Sequence, residues 1–273
     1  MSVVTPSLDQ GRYIEQAIES VLAQDYPRIE HVVVDGGSTD GTVDILRRYS
    51  HLDWVSEPDA GQAAALNKGF RRARGEILGW LNADDYYLPG AVTAAVAVLR
   101  ESGCALVHGG WRRVGENGEL LGDVSAVPFD LRRQLEVANA VAQPGSFFTR
   151  AAFEAVGCID EGLHYAMDYE LWLRLGERFD VRHVDRVLAA YRYHPRSKSV
   201  ADYRRFAAET WRAGRRHGAR RRSPIFLDFY LRYEHPRLHR LVVAGRAVRR
   251  GDVRGLAAGL RRRIRRRLGV ASA

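Results

Sequence analysis

The first 110 residues alternate between short apolar segments and longer segments with helical spacing of apolar residues. Residues 2–4, 31–34 and 76–81 are apolar runs of the kind that form buried strands. Apolar residues recur at intervals of three and four over 13–24 and again over 62–74, which predicts helices between the strands. A repeated strand–helix order predicts a mainly parallel central sheet with helices on both faces. The sequence therefore predicts an α/β fold.

Polar or acidic residues follow four of the predicted strands. They are Thr5-Pro6-Ser7, Asp35-Gly36-Gly37, Glu57-Pro58-Asp59 and Asn82-Ala83-Asp84-Asp85. In folds of this kind ligands bind outside the carboxyl ends of the strands, so residues at these positions are expected around one crevice. One converging site explains the repetition better than four independent loops do.

Asp84 and Asp85 form the clearest candidate for a metal site. Two adjacent carboxylates raise each other's pKa, and a divalent cation relieves that repulsion. Hard cations such as Mn²⁺ or Mg²⁺ prefer carboxylate and phosphate oxygens. The alternative is a solvated acidic turn in front of the helix predicted near Pro89, where the positive end of the helix favours a carboxylate.

The segment Asp35-Gly36-Gly37-Ser38 lies where a predicted strand meets a helix. The carboxylate of Asp35 can accept a hydrogen bond from a nucleobase or a ribose, and the glycines allow the backbone to approach a ligand closely. An ordinary turn followed by a helix cap explains the segment equally well. The spacing differs from the G-x-G-x-x-G pattern of dinucleotide-binding proteins.

Six segments together resemble the successive motifs of family 2 glycosyltransferases, in the expected order, and the likeness covers residues 2–200. They are Thr5-Pro6-Ser7, Gln24-Asp25-Tyr26-Pro27, residues 34–42, residues 57–62, Asn67-Lys68-Gly69 and Asn82-Ala83-Asp84-Asp85. The resemblance implies a Rossmann-like GT-A fold over 1–200, with a nucleotide-binding half (1–110) and an acceptor half (111–200). It also implies transfer of a sugar from a nucleotide-sugar donor to an acceptor hydroxyl with inversion.

The resemblance assigns most of these positions to the donor. The residues expected to bind the nucleotide are Thr5, Pro6, Ser7, Asp35, Asp59, Lys68 and Asp84. Within this group, Asp35 is expected to read the base and Asp84 to lie near the ribose. Asp85 is expected to hold the Mn²⁺ or Mg²⁺ ion that bridges the diphosphate. The chain departs from the family pattern at Leu8-Asp9, where Tyr-Asn is usual.

Asp168 and His194 lie in the acceptor half of the resemblance. Asp168 occupies the place of the family's catalytic base, which deprotonates the acceptor hydroxyl. An acid often precedes that aspartate in the family, whereas this chain has Met167. His194 occupies the place of a metal-contacting histidine in several relatives. The alternatives are a helix cap for Asp168 and a structural or solvated role for His194.

Residues 201–273 differ in charge from the rest of the chain. They hold 21 Arg and five Asp or Glu, a net charge of +16; since the whole chain carries +9, residues 1–200 carry −7. Apolar residues recur every three or four positions over 253–268 between arginines, which predicts a basic amphipathic helix suited to an anionic membrane surface. The alternative is a solvated arginine-rich helix. No nucleic-acid partner is expected, because no motif that reads nucleic acid accompanies the charge.

The sequence thus predicts a metal-dependent, inverting glycosyltransferase with a glycan or lipid-linked acceptor, active in cell-surface polysaccharide or glycan assembly. Two alternatives stay open: a nucleotidyltransferase, and a catalytically silent, membrane-associated nucleotide-sugar binding protein. The first residues lack a basic segment followed by an apolar run, and the chain has two cysteines. We therefore expect a cytoplasmic protein that lies at the inner face of the plasma membrane.

Overall fold

The computed structural model describes residues 1–137, 139–221, 223–235, 237–239 and 241–242. The chain divides into two compact units, Met1–Arg221 and Arg222–Ala273. The first unit contains the whole predicted glycosyltransferase domain and extends past its predicted end at residue 200. The predicted amphipathic helix over 253–268 lies outside the described residues.

Helices and strands alternate through the first part of the chain, as predicted. The strands are β1 (Ser2–Ser7), β2 (Glu30–Asp35), β3 (Asp53–Ser56), β4 (Ile77–Trp80), β5 (Tyr86–Tyr87), β6 (Leu106–Val114), β7 (Leu120–Val124), β8 (Ser146–Thr149) and β9 (Val181–Arg192). The helices are α1 (Ile14–Leu22), α2 (Thr42–Arg47), α3 (Gln62–Arg72), α4 (Ala91–Ser102), α5 (Leu131–Glu136), α6 (Arg150–Ala155), α7 (Met167–Arg178), α8 (Lys198–Ala201), α9 (Tyr203–Arg216) and α10 (Pro224–Glu234).

The strands form one mixed sheet in the order β3-β2-β1-β4-β8-β6-β9-β5, with β7 paired to β6. The pairs β1–β2, β1–β4 and β2–β3 are parallel, as is β6–β9. The pairs β4–β8, β6–β8, β5–β9 and β6–β7 are antiparallel. The predicted α/β class is confirmed, but the sheet is uniformly parallel only in its first half. There, helical crossovers join the strands, whereas a short turn joins β6 to β7 and requires antiparallel pairing.

The first half of the sheet is buried on both faces. All six residues of β1 are buried, as expected for a central parallel strand covered by helices. Helix α3 packs so closely on β1 that a Cβ atom at Gly69 would lie 2.3 Å from Cγ1 of Val4. Any larger residue at Gly69 would therefore push the helix away from the sheet.

Helix α9 packs against α7 within the first unit. Ala166, Tyr169, Leu173 and Ala213 form a buried apolar cluster between the two helices. Asp168 is the second residue of α7. The segment after residue 200 therefore lies next to the helix that carries the predicted base.

The described part of the second unit consists of α10 and the residues that follow it as far as 242. Four of its apolar side chains, Leu227, Tyr230, Leu238 and Leu241, are between 43% and 69% exposed. No helix in the described residues is long and apolar enough to cross a bilayer.

Candidate active site

A cavity of about 440 Å³ opens at the carboxyl ends of β1 and β4. Further walls come from the start of α3, the start of α7 and the segment 191–198. Five of the predicted site residues line this cavity: Pro6, Ser7, Asp59, Asp84 and Asp168. Residues that are far apart in the sequence therefore meet where the strand-end pattern predicts a crevice.

Thr5 and Lys68, two of the predicted donor residues, are outside the cavity lining formed by the described residues. Thr5 is buried, and its Oγ1 lies 2.9 Å from Nε2 of His31. Lys68 on α3 donates to Oε1 of Glu57 at 2.6 Å. Their predicted roles at the nucleotide remain predictions.

Asp35, the last residue of β2, organises the turn that follows the strand. Its buried carboxylate accepts hydrogen bonds from the backbone N–H of Ser38 at 2.9 Å and from Oγ of Ser56 at 2.6 Å. A third bond comes from the N–H of Gly37 at 3.2 Å, a residue whose φ of +89° favours glycine. The carboxylate oxygens of Asp35 are therefore hydrogen-bonded to groups of the protein itself. Its role at the nucleobase stays a prediction.

Asp84 faces His194, which lies 110 residues further along the chain. Oδ2 of Asp84 and Nε2 of His194 are 2.9 Å apart. The His194 side chain is 2% exposed, its ring lies 5.0 Å from the ring of Tyr13, and its Nδ1 has no hydrogen-bond partner among the described residues. The contact joins the turn after β4 to the segment after β9.

Asp85 is buried and is not among the described residues that line the cavity. Its Oδ1 accepts a hydrogen bond from the backbone N–H of Arg192 at 2.9 Å, while Nε of Arg192 donates to the carbonyl of Asp84. Burial, followed by the charge of Asp84, raises the pKa of Asp85 well above its usual range. Asp85 and His194 are thus both enclosed by protein, whereas Asp84 lines the cavity. The metal role predicted for Asp85 stays a prediction.

Asp84 and His194 are hydrogen-bonded to each other, and the 2.9 Å between the two atoms also equals the spacing of two neighbouring ligands of one divalent cation. Ligands at about 2.1 Å and at right angles to each other lie about 3 Å apart. No cluster of three or more His, Cys, Asp or Glu side chains that could hold a metal occurs among the described residues. A cation at this pair therefore needs further ligands from water or from a phosphate-bearing substrate, as is usual for Mg²⁺.

Asp168 lies half-buried in the cavity wall. Its removal from water raises the pKa of its carboxyl to about 6, and the charge of Glu209 adds to that increase. A carboxylate with this pKa is mostly ionised at neutral pH and is a stronger base than an ordinary aspartate. The cap position of α7 is Ala166, but the Asp168 carboxylate accepts hydrogen bonds from its own backbone N–H and from that of Tyr169, so the alternative role at the helix start stays open.

Arg196, Ser197 and Lys198 also line the cavity, and sequence reasoning missed them. Nζ of Lys198 donates to the carbonyl of His164 at 3.0 Å. Burial lowers the pKa of Lys198 to about 8, although nearby carboxylates act in the opposite direction. The two basic side chains balance the carboxylates of the cavity and suit a diphosphate. The sequence feature that could have indicated them is the presence of two basic residues, Arg196 and Lys198, within four positions after His194.

Asn82 and Gln143 join the end of β4 to the segment before β8. Oδ1 of Asn82 accepts hydrogen bonds from Trp80 Nε1 and from Gln62 Nε2, both at 2.8 Å. Nδ2 of Asn82 donates to Oε1 of Gln143 at 2.7 Å. All four residues line the cavity, so this network fixes one wall.

Another depression, of about 630 Å³, lies among residues that include Met1, Glu30, Arg74 and Arg100. It is formed at the amino ends of β1 and β4. Ligands of open α/β sheets bind at the carboxyl ends of the strands, where Asp84 and Asp168 also lie. We therefore place the active site at the smaller cavity.

The sequence matches a known protein family and is similar to several bacterial glycosyltransferases. Residues 2–157 match the family described as glycosyl transferase family 2. TuaG of Bacillus subtilis (strain 168), a glycosyltransferase assigned to teichuronic acid biosynthesis, is 30% identical over 218 residues, which cover 77% of this chain and 85% of TuaG. Other relatives are longer: the matched part spans 37% of one uncharacterized glycosyltransferase.

Two solved structures share the fold. Staphylococcus aureus TarS 1-349, in complex with UDP-GlcNAc, superposes with a TM-score of 0.65 at 20% identity, over 85% of this chain and 72% of that chain. The mannosyltransferase PcManGT from Pyrobaculum calidifontis, in complex with GDP-Man and Mn²⁺, gives 0.64 at 21% identity over 95% and 79%. The fold is thus GT-A-like, and the nucleotidyltransferase alternative is set aside by the match over residues 2–157. The chain belongs to glycosyl transferase family 2.

Proposed function

We propose that this chain transfers a glycosyl group from a nucleoside-diphosphate sugar to an acceptor hydroxyl, with inversion at the anomeric carbon. The observation that carries the proposal is that Asp168 lines the same cavity as Asp84, which is paired with His194. Asp168 is thus available to take the proton of the acceptor, and Asp84 is available to the donor. The complexes of TarS with UDP-GlcNAc and of PcManGT with GDP-Man support this class of donor.

The nucleotide lies against the first half of the sheet in this proposal. Pro6, Ser7 and Asp59 are assigned to direct contact, since they line the cavity. Thr5 and Asp35 lie in the buried ends of β1 and β2, and their assigned role is to shape the nucleotide pocket from behind. Lys68 and Asp84 retain their assignment to the donor, with Lys68 anchored by Glu57.

Asp84 and His194 are the proposed protein ligands of a Mn²⁺ or Mg²⁺ ion, and Asp85, the ligand that the resemblance implies, is the alternative to Asp84. Such a cation, when bound, neutralises the negative charge that develops on the departing nucleoside diphosphate. Arg196 and Lys198 face the same cavity and add positive charge beside the diphosphate. The complex of PcManGT with Mn²⁺ supports the use of a metal.

Asp168 is the proposed general base. The acceptor oxygen forms a bond to the anomeric carbon while the bond from that carbon to the diphosphate oxygen breaks, and the acceptor proton passes to Asp168. Direct displacement of this kind inverts the anomeric centre. The pKa of about 6 keeps most of the Asp168 carboxyl deprotonated at neutral pH, as a base requires.

The proposed acceptor is a glycan or a lipid-linked saccharide of a cell-surface polysaccharide. The assignment of TuaG to teichuronic acid biosynthesis supports this class, because TuaG is similar to this chain over most of its own length. The proposed site of action is the cytoplasmic face of the membrane.

Nucleotide release from a panel of donors tests the proposal. UDP-GlcNAc and GDP-Man are the first donors to offer, each with Mn²⁺ or Mg²⁺ and each with a chelator. We expect nucleoside-diphosphate release from at least one donor, its loss on chelation, and its recovery when the cation is returned. Product analysis by NMR then reports the anomeric configuration. Nucleotide release that persists in the chelator would contradict the proposed role of the metal. If no nucleotide sugar is cleaved, the proposal of catalysis fails, and the catalytically silent binding protein is the remaining alternative.

The arginine-rich end of the chain is proposed to bind an anionic membrane surface. The exposed apolar side chains of the second unit, together with the arginines at 254–267, supply the two features that an interfacial segment needs. Sedimentation with vesicles of phosphatidylcholine and phosphatidylglycerol tests this. The full chain should sediment with anionic vesicles, and a chain that lacks 240–273 should not. Equal sedimentation of the two chains would reject the proposal.

A further inference from the structure

Glu209 on α9 makes an unusual contact with the segment that precedes α7. A single oxygen, Oε1, accepts hydrogen bonds from three consecutive backbone N–H groups: His164 at 2.8 Å, Tyr165 at 2.5 Å and Ala166 at 2.7 Å. The Glu209 side chain is buried. Consecutive N–H groups that point to one place form an anion-binding nest, and here the anion is a side chain of the protein.

The contact lies at the amino end of the helix that carries Asp168. Ala166 precedes the first residue of α7, and its methyl side chain cannot cap the helix. The unsatisfied N–H groups at a helix start favour a negative charge. Glu209 supplies that charge from a different helix, whereas caps normally come from the residue next to the helix.

Lys198 binds the same segment through a carbonyl oxygen, whereas Glu209 binds it through N–H groups. Its Nζ donates to the carbonyl oxygen of His164 at 3.0 Å. Lys198 lies four residues after His194. The segment 164–166 is therefore fixed both to α9 and to the stretch that carries the proposed metal ligand.

We propose that Glu209 is a positioning residue for glycosyl transfer, which holds the start of α7 so that Asp168 faces the acceptor side of the cavity. The inference rests on the proposed function, in which Asp168 is the base. It places an essential residue of the reaction outside residues 2–157, the part that matches the family. It also explains why α9 is packed into the first unit through the cluster of Ala166 and Ala213.

The negative charge of Glu209 also acts on Asp168 itself. Desolvation raises the pKa of the Asp168 carboxyl most, the backbone N–H groups of Tyr169 and Asp168 lower it, and the charge of Glu209 adds a smaller increase. Other charged or titratable groups that line the cavity are Asp59, Asp84, His164, Tyr165, Tyr191, Arg196 and Lys198. Loss of the Glu209 charge should therefore lower the pKa of Asp168, and the acid limb of the rate profile should move to lower pH.

Two substitutions separate the charge from the hydrogen bonds. Glu209→Gln keeps an oxygen that can accept from the three amides and removes the charge, whereas Glu209→Ala removes both. The matched control is Glu30→Gln, because Glu30 also accepts a backbone N–H, from Arg74 at 2.7 Å, and lies far from the active site at the amino ends of the strands. Asp168→Asn is measured in parallel.

The measurements are kcat and donor KM from nucleotide release, the pH dependence of kcat, the melting temperature, and hydrogen exchange of the peptide that covers 163–170. We expect Glu209→Ala to lower kcat by about 10- to 100-fold with little change in donor KM, as a misplaced catalytic group does. In both Glu209 variants the acid limb should shift to lower pH. Exchange at 164–166 should be faster in Glu209→Ala, and Glu30→Gln should change neither exchange at these amides nor the pH profile.

A purely structural role for Glu209 predicts a different result. The melting temperature would then fall while kcat per folded molecule and the acid limb stay at the wild-type values, and the inference would be overturned. If Asp168→Asn turns over like the wild type, the base itself is wrong and the inference fails with the proposed function. If Asp168→Asn is inactive and both Glu209 variants behave as the wild type, the inference alone is overturned.

Discussion

Strands β1–β4 and strands β6–β9 reach the cavity in different ways. In the first half, parallel strands end side by side, so Ser7, the last residue of β1, and Asp84, four residues after β4, both reach the cavity. In the second half the pairing is mixed, and the end of β9 reaches the site, where Tyr191 lines the cavity. Asp168 lies at the start of a helix there, and His194 and Lys198 lie in the segment after β9.

The difference separates binding from chemistry in the proposed reaction. The first half provides a rigid wall of neighbouring strand ends for the donor. The second half provides the base and the basic side chains, and these depend on packing between α7 and α9 and on the segment 193–198. The Asp84–His194 contact joins the two halves. Variants in the first half should therefore alter donor binding, and variants in the second half should alter the rate.

Asp168→Asn is the sharpest test of this separation. The amide cannot accept the acceptor proton, so we expect kcat to fall by about 10³-fold, within the range for loss of a general base. Donor KM should stay within about threefold of the wild type, because the wall of the first half is unchanged. Nucleotide release at saturating donor gives both values.

The matched control for that variant is Asp123→Asn. Asp123 forms an ion pair with Arg112 on β6 at 2.9 Å, outside the lining of the cavity, so its loss should leave kcat unchanged. If Asp168→Asn retains a rate near that of the wild type, the base lies elsewhere and the second half loses its assigned role.

The next test asks whether Asp84 or Asp85 binds the metal ion, because Asp84 makes the contact that joins the two halves. Asp84→Asn and His194→Ala should each raise the Mn²⁺ concentration for half-maximal activity by at least about tenfold, because each removes a proposed ligand. Asp85→Asn keeps an oxygen for the N–H of Arg192 and should leave the cation requirement unchanged. A metal titration of nucleotide release measures all three. The opposite pattern would return the metal to Asp85.

Much of the first half could be predicted from the sequence, because it depends on local patterns. The apolar runs at 2–4 and 31–34 lie within β1 and β2. Polar residues at the ends of β1, β3 and β4 line one cavity, whereas Asp35 at the end of β2 is not among the residues of its lining. The different environments of Asp84 and Asp85 could not be predicted, because the contacts of adjacent residues in a turn are set by partners that are distant in the sequence. Here the partner is the backbone of Arg192, 107 residues away from Asp85.

The second half was harder to predict for the same physical reason. The resemblance pointed to Asp168 and His194, but no local pattern links Glu209 to the amides of 164–166. The charge change at residue 200 suggested a boundary, whereas packing of α9 on α7 keeps the residues up to Arg221 in the first unit. Charge reports on the surface of a segment, and the buried face of α9 determines where it packs.

The pH dependence of kcat tests the environment of the base. With a pKa of about 6, Asp168 is deprotonated above that pH and protonated below it. We expect kcat to be level above about pH 7 and to fall about tenfold for each unit below pH 6. An ordinary aspartate would place this limb near pH 4. A limb near pH 4 in the wild type would show that the cavity does not desolvate Asp168.

Asp168→Asn should be more stable than the wild type at pH 7.5, although its kcat is lower. Because the folded pKa of about 6 exceeds the ordinary value of 3.8, the folded chain binds more protons than the unfolded chain between these values, and stability falls as the pH rises through this window. The full shift corresponds to about 3 kcal/mol, and partial exposure of the carboxyl reduces the expected gain on substitution to about 1–2 kcal/mol at pH 7.5. Thermal melts should show the variant about 3–6 °C above the wild type at pH 7.5, with a difference that shrinks toward pH 4. The control Asp123→Asn should show no such gain, and a variant less stable than the wild type at pH 7.5 would mean that Asp168 stabilises the fold.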